Sequence, residues 1–175
     1  MRIGAGWDFH RLVPGRPLLL GGVELPCDRG EDGFSDGDVL VHAVIDALLG
    51  PAGLGDIGSN FPPGREDLRG ISSMVLLERT MDMLRGEGLS VGNVDCIVAL
   101  EEARILPHVP AIRASLARAL GVAPARVSVK GKTREGLGDV GEGHDPDGAR
   151  GRVGEAAHEG ARPLDRHEEA ALCAV

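Results

Sequence analysis

Asp8 and His10 stand two residues apart just after a short apolar N-terminal run, Met1 to Trp7, that reads as a first strand. Residues two apart on a strand point to one side, so this carboxylate and imidazole face the same way. His42 lies in a second stretch, Phe34 to Gly50, where Asp38, His42 and Asp46 recur at four-residue intervals among apolar residues. That interval sets the three along one face of a buried helix, and a buried imidazole needs a partner for each ring nitrogen. Should the strand face meet the helix at His42, two imidazoles and one carboxylate converge, and three protein ligands leave a metal ion an open position. Asp46, one turn beyond His42, is a candidate acceptor for the second ring N–H.

The elements that must hold these groups can be read around them. Ser35 followed by Asp38 is a capping-box pattern, and Gly50 is a natural helix stop. Pro17 to Pro26 reads as an apolar strand broken by the Gly21-Gly22 pair at a bulge or tight turn. The loop Gly53 to Gly64 is dense in Gly and Pro; Asp56 and Gly58 within it are candidate ligand contacts or parts of an ordered connection. Ser72 and Ser73 can cap a second helix with the stripe Met74, Leu77, Met81, Leu84, ending at Gly86. Val94, Cys96, Val98 and Leu100 alternate as a strand with one strongly apolar face. Pro110 opens a third helix carrying Ile112, Leu116 and Leu120 and closed by Gly121, and Arg126 to Lys130 is the next strand. The loop Gly131 to Gly138 then carries a hydroxyl, cations and a carboxylate, a composition suited to a phosphate and a second metal or to a solvated turn.

At 175 residues the chain is of single-domain size, and with 42% hydrophobic but 2% aromatic residues its core is aliphatic. A formal charge of -8 argues against nucleic acid as a partner. Cys27, Cys96 and Cys173 match no metal or redox spacing, which suits a reducing compartment. No N-terminal apolar run reaches signal-peptide or membrane length, so a cytoplasmic protein is expected. The division expected is a domain over 1–142 followed by a segment, 143–175, rich in Gly, Ala, Arg, Glu and His. That segment shows no period-two apolar run and reads as disordered or loosely helical.

Taken together, Asp8-x-His10, Ser35-Asp-Gly-Asp38, His42, Asp46-Ala-Leu-Leu, Leu54-Gly-Asp-Ile-Gly58, Phe61-Pro62, Gly92-Asn-Val-Asp95, Leu106-Pro-His108 and Lys130-x-x-Thr133-x-Glu135-x-Leu-Gly138 resemble the 2-C-methyl-D-erythritol 2,4-cyclodiphosphate synthase family, from Met1 to about Gly143. The resemblance implies an α/β (α+β) fold, a mixed four-stranded sheet backed by helices, in a homotrimer with active sites between subunits. It implies a phosphorus–oxygen lyase of non-mevalonate isoprenoid biosynthesis that cyclises 4-diphosphocytidyl-2-C-methyl-D-erythritol 2-phosphate and releases CMP. Asp8, His10 and His42 would hold zinc, and Glu135 would contribute to a magnesium or manganese ion on the diphosphate. Ser35, Asp56, Ile57 and Gly58 would touch the phosphate and the methylerythritol. Leu100, Ala103, Arg104, Ile105, Leu106, Lys132 and Thr133 would cradle the cytidine diphosphate, with Thr133 and Glu135 also counted with the catalytic set.

Several positions depart from the family pattern. Phe34 stands where many relatives carry His, Pro63-Gly64 replaces a polar continuation, and Ala103 takes the place of a common proline. Asp139 and Glu142 occupy positions where some relatives line an axial cavity with Phe and Arg, and acidic groups there would repel an isoprenoid diphosphate. The alternating apolar strand with which relatives end has no counterpart in the pattern of 143–175. Competing expectations are a catalytically impaired trimeric metal- and nucleotide-binding protein, and a 2-His-1-carboxylate iron(II) enzyme, whose usual double-stranded β barrel the three helical patterns disfavour.

Overall fold

The computed structural model describes residues 1–101, 103–133 and 135, together with the backbone of 152–157 and 169–173. Its organising contact is between the N-terminal strands and the first long helix. Strand β1 (Arg2–Ala5) runs into β2 (Trp7–Pro14), and Gly4 and Gly6 fall on the face that meets α1 (Val39–Ala52). A Cβ at either glycine would come within 2.1 Å of a helix carbonyl, Ala47 O for Gly4 and Ala43 O for Gly6. Backbone therefore lies directly on backbone, and the next positions on the same face, Asp8 and His10, are carried to the turn of α1 that holds His42.

α1 begins with Asp38 as its N-cap, not at Ser35, and continues past Gly50 to a left-handed cap at Gly53 (φ 76°). The capping-box pattern misplaced the start because the Asp38 carboxylate itself accepts from Val41 N. It also accepts from Gly21 N and Gly22 N in the turn of the hairpin β3 (Leu18–Leu20) and β4 (Val23–Leu25), tying that hairpin to the helix. β5 (Arg29–Glu31) pairs antiparallel with the end of β2.

The short helix α2 (Ile57–Asn60) precedes α3 (Ser73–Gly86), which packs on α1 and buries Leu76, Leu77, Met81 and Leu84. β6 (Ser90–Ala99) buries Val94, Cys96 and Val98, with α4 (Val109–Leu120) and β7 (Val127–Lys132) following as the sequence pattern predicts. α4 packs on β7 and α3, closing an aliphatic core.

Seven strands form the main sheet, more than the four expected, because two of its ribbons are each made of strands set end to end. β1 and β2 share one ribbon. The neighbouring slot is shared by β9 (Glu169–Cys173), parallel to β1, and β8 (Arg152–Ala157), antiparallel to β2. β6 lies on the far side of both, and β7 pairs parallel with its other edge. The sequence reading of 143–175 as disordered or loosely helical does not anticipate β8 and β9. Backbone pairing on both edges can fix a strand whose own pattern carries no signal. The Asp139 and Glu142 positions lie outside the described residues.

Candidate metal centre and nucleotide cavity

Asp8 Oδ2 lies 3.0 Å from His10 Nε2 and 3.1 Å from His42 Nδ1, and the two imidazole nitrogens are 3.3 Å apart. The ligand atoms of all three residues fall within 4.8 Å of one another, the only such group of three or more among the described residues. The distant nitrogen of each ring is occupied. His10 Nδ1 donates to the Gly37 carbonyl at 2.6 Å, which leaves the Nε2 lone pair facing the centre. Gly37 adopts φ 91°, and a Cβ there would meet Glu31 O at 2.7 Å, so glycine alone suits this turn. His42 Nε2 lies 2.8 Å from Ser73 Oγ and 3.1 Å from Ser35 Oγ, leaving Nδ1 for the centre. Two neutral imidazoles with fixed tautomers and one carboxylate are a donor set that fits a divalent ion.

Asp46 does not serve His42 as the sequence reading expects. Its Oδ1 accepts from Ile57 N at 2.7 Å and so anchors the loop after α1. A helical interval of four placed it on the right face but one turn too far, and two serines from other segments reach the ring instead.

Electrostatics agree with the geometry. Burial works to raise Asp8, but the two imidazoles set against it, His10 and His42, outweigh burial and hold the carboxyl well below the usual carboxylate range. Burial works to lower His10, yet Asp8 and the Gly37 carbonyl keep it above its ordinary value. Behind them, burial pushes Asp38 up to about 6 despite its three backbone donors. Glu31, fully buried, is raised well above the ordinary range by burial and by the charge of Asp38. One of its oxygens accepts from Val39 N and the other has no partner among the described residues.

A cavity of about 230 Å³ opens beside the trio, lined by His10, Ser35, His42, Ile57 and Gly58 with Phe34, Phe61, Pro63, Leu68, Ile71 and Leu76. Arg69 stacks over the Phe34 ring, 4.7 Å from its centroid, at this wall. Asp56, expected as a substrate contact, lines neither this cavity nor the next. Its carboxylate caps α2 by accepting from Ser59 N at 2.7 Å.

The second cavity, about 600 Å³, gathers Leu100, Ala103, Arg104, Ile105, Leu106, Lys132 and Thr133, the whole group expected around a cytidine diphosphate. Val98, Glu101, Val109, Val129, Lys130 and Gly131 complete the lining, and Lys130 pairs with Asp95 at 2.5 Å. Glu135 is not brought to the Asp8 group. It sits at φ 53° and its carboxylate accepts from Thr133 Oγ1 at 2.6 Å, so Thr133 joins it to the rim of this cavity. Among the described residues the two cavities share no lining side chain.

Sequence reasoning gave Ser73 only a helix-capping role and Asp36 none. The doubled Ser72-Ser73 was the available signal, since one serine suffices to cap a helix and the other is free for a different duty. The cavity walls Phe61, Ile71 and Leu76 carried no such signal, because their apolar types read as core.

The comparisons with known proteins agree with this geometry. The 2-C-methyl-D-erythritol 2,4-cyclodiphosphate synthase of Gloeobacter violaceus is 57% identical over 143 residues, 82% of this chain and 88% of that protein. Its counterpart from Symbiobacterium thermophilum is 53% identical over 141 residues, 81% of this chain and 90% of the relative. A solved 2C-methyl-D-erythritol-2,4-cyclodiphosphate synthase in its CDP-bound form superposes with a TM-score of 0.78 at 36% identity, covering 89% of this chain and 97% of that one. The model of the YgbB family matches residues 1–147, a stretch that contains the trio and every described residue of both cavities, and the chain belongs to that family.

Proposed function

We propose that this chain cyclises 4-diphosphocytidyl-2-C-methyl-D-erythritol 2-phosphate to 2-C-methyl-D-erythritol 2,4-cyclodiphosphate with release of CMP, as a phosphorus–oxygen lyase of non-mevalonate isoprenoid biosynthesis. The observation that carries this reading is the 57% identity to a synthase of that name across the stretch that supplies the Asp8–His10–His42 centre. The nucleophile is the substrate's own 2-phosphate. An oxygen of that group bonds to the β-phosphorus, the bond from the β-phosphorus to the bridging oxygen breaks, and CMP leaves with that oxygen and its electron pair. No protein base or covalent intermediate is needed.

Zinc at Asp8, His10 and His42, with magnesium or manganese at Glu135, would offset phosphoryl charge as it moves onto CMP. The chain's own work is positioning, which converts the reaction into a ring closure. Ser35 presents its hydroxyl to the cavity beside the trio, while Ile57, Phe61 and Leu76 offer an apolar wall for the methylerythritol carbons and restrict water. Arg104, Lys130 and Lys132 supply positive charge to the nucleotide cavity, and Ile105 and Val129 an apolar surface for the base.

The assembly proposed is a homotrimer, and two features support association of copies. The metal and nucleotide cavities have separate linings, so a substrate reaching both suits a site assembled from two copies. In addition Ile3, Trp7 and Phe9 are 59%, 65% and 45% exposed on the sheet face turned away from α1, an apolar surface that association would cover. No helix among the described residues is long and apolar enough to cross a membrane, in keeping with a cytoplasmic enzyme. We read residues 1–142 as the synthase domain and the segment from 143 as divergent; the family model matches residues 1–147, and β8 and β9 add to the sheet from beyond that stretch. The sheet backed by helices on one face is not the double-stranded barrel of the iron(II) oxygenases.

Incubation with the cytidylated substrate, zinc and magnesium, followed by phosphorus NMR, tests the reaction. Appearance of the cyclic diphosphate with stoichiometric CMP is expected, and unchanged substrate would refute the assignment. Sedimentation velocity tests the assembly, with the trimer mass as the expected result.

A further inference from the structure

Ser73 has lost the role its position suggests. It is the first residue of α3, the helix N-cap is Ser72 without a side-chain capping bond, and the Ser73 hydroxyl points away to meet His42. Its side chain is fully buried. Its oxygen meets Asp36 Oδ1, His42 Nε2 and, at 3.4 Å, Ser35 Oγ, and the two short contacts set its proton inventory. Asp36 as a carboxylate only accepts, and its Oδ1 lies 2.5 Å from Ser73 Oγ, so the serine proton goes to Asp36. The serine oxygen must then accept from His42 Nε2, 2.8 Å away, which puts the ring proton on Nε2. In the neutral ring that proton position leaves a lone pair on Nδ1, the nitrogen facing Asp8 and His10.

Asp36 is itself gripped from two sides. Its Oδ2 accepts from Ser73 N at 2.9 Å, so one carboxylate holds both the hydroxyl and the backbone of the same residue. The Asp36 amide donates to Ile71 O at 2.9 Å, which fastens the carboxylate to the segment leading into α3. Ser35 is the weaker alternative for the ring, at 3.1 Å, and its oxygen already accepts from Gly37 N at 3.3 Å. With His42 committed to Ser73, the Ser35 hydroxyl is left to meet Ser73 Oγ, 3.4 Å away, or the neighbouring cavity.

We propose that Ser73 and Asp36 are positioning residues, a hydroxyl relay from a carboxylate to His42 that fixes the ring's tautomer and orientation and thereby sets the affinity of the centre for zinc. A carboxylate directly on the distal nitrogen of a metal-binding histidine commonly performs this task, and here a serine is interposed. The relay rests on Asp8, His10 and His42 holding a divalent ion, but its tautomer consequence is readable without one.

The test combines two measurements on the full chain. Nitrogen-15 NMR of the metal-free wild type at pH 8.5 should show His42 protonated on Nε2, and Ser73→Ala should convert that resonance to a mixture of tautomers. Zinc affinity, measured by competition with a chromogenic chelator, should fall roughly 10- to 100-fold in Ser73→Ala, the range seen when such outer partners are removed. Asp36→Asn, which removes the charge and keeps the shape, should weaken zinc in the same direction even if Ser73→Ala does not fold. A wild-type His42 protonated on Nδ1, or Asp36→Asn binding zinc as tightly as the wild type, would overturn the relay. A wild type that binds no zinc, yet carries its proton on Nε2, would remove the metal reading and leave the tautomer assignment standing.

Discussion

Asp8 Oδ2 stands 3.1 Å from His42 Nδ1, across 34 positions of sequence. A strand alternating by two and a helix repeating by four meet at that distance because Gly4 and Gly6 let them touch without side chains between them. His42→Ala should therefore remove one of three ligands and leave Asp8 and His10 with each other. Bound zinc by metal analysis should drop to background and CMP release should cease; normal turnover in this variant would refute the centre.

Gly6→Ala should reach the same centre from the far side of the contact. The added methyl would meet the Ala43 carbonyl at 2.1 Å and force strand and helix apart. Overpacking of this kind costs roughly 1–3 kcal/mol or more, readable as a lowered urea midpoint. Zinc stoichiometry should fall in the fraction that still folds, because Asp8 and His10 move with the strand.

Asp46→Ala separates loop anchoring from metal holding. Loss of the acceptor leaves the Ile57 N–H without its partner at the mouth of the smaller cavity, a cost of about 1 kcal/mol. KM for the cytidylated substrate should rise while zinc content stays at the wild-type level; a drop in zinc would return Asp46 to the role its helical spacing suggested.

Glu31 gives the fold a pH signature. A carboxyl raised in the native state keeps its proton where the unfolded chain has released it, so its contribution favours the fold at low pH. That contribution is lost as pH rises from the ordinary value of 4.5 through the raised native one. Glu31→Gln removes the titration and keeps the shape, so its melting temperature should exceed the wild type's by roughly 2–4 °C at alkaline pH and converge with it near pH 4. Parallel melting curves across pH would show that Glu31 does not titrate in this range.

Gly131→Ala probes the nucleotide cavity alone. A Cβ there would come within 2.6 Å of Ile105 Cγ1, pushing that side chain into the space expected for the base. Calorimetry should show CMP binding weakened about three- to tenfold with zinc affinity unchanged, a loss near 1 kcal/mol.

How far the sequence could be read follows from where each signal resides. Asp8, His10 and His42 were legible because their periodicities, two and four, survive in the strand and helix that carry them. The nucleotide cavity was legible only through resemblance, since Leu100, Ile105 and Leu106 are the residue types of any core. Asp46 and the start of α1 were misread because a polar residue at helical spacing does not announce which backbone amide will claim it. Ser73 was assigned to a cap because nothing local says that its hydroxyl turns toward a histidine from another element. Strands β8 and β9 were missed because their pairing partners, not their own alternation, define them.

The pairing of Arg2 with Ala170 has a consequence for biogenesis. β1 is made long before β9, so during synthesis its backbone edge stays unpaired until that neighbour follows, as does the facing edge of β6 once it is made. Until then the nascent chain presents two open backbone ladders that any extended peptide can join, the period in which a chaperone is most needed. The sheet is thus sealed from the middle and not from a rim, when β8 and β9 enter between β1, β2 and β6.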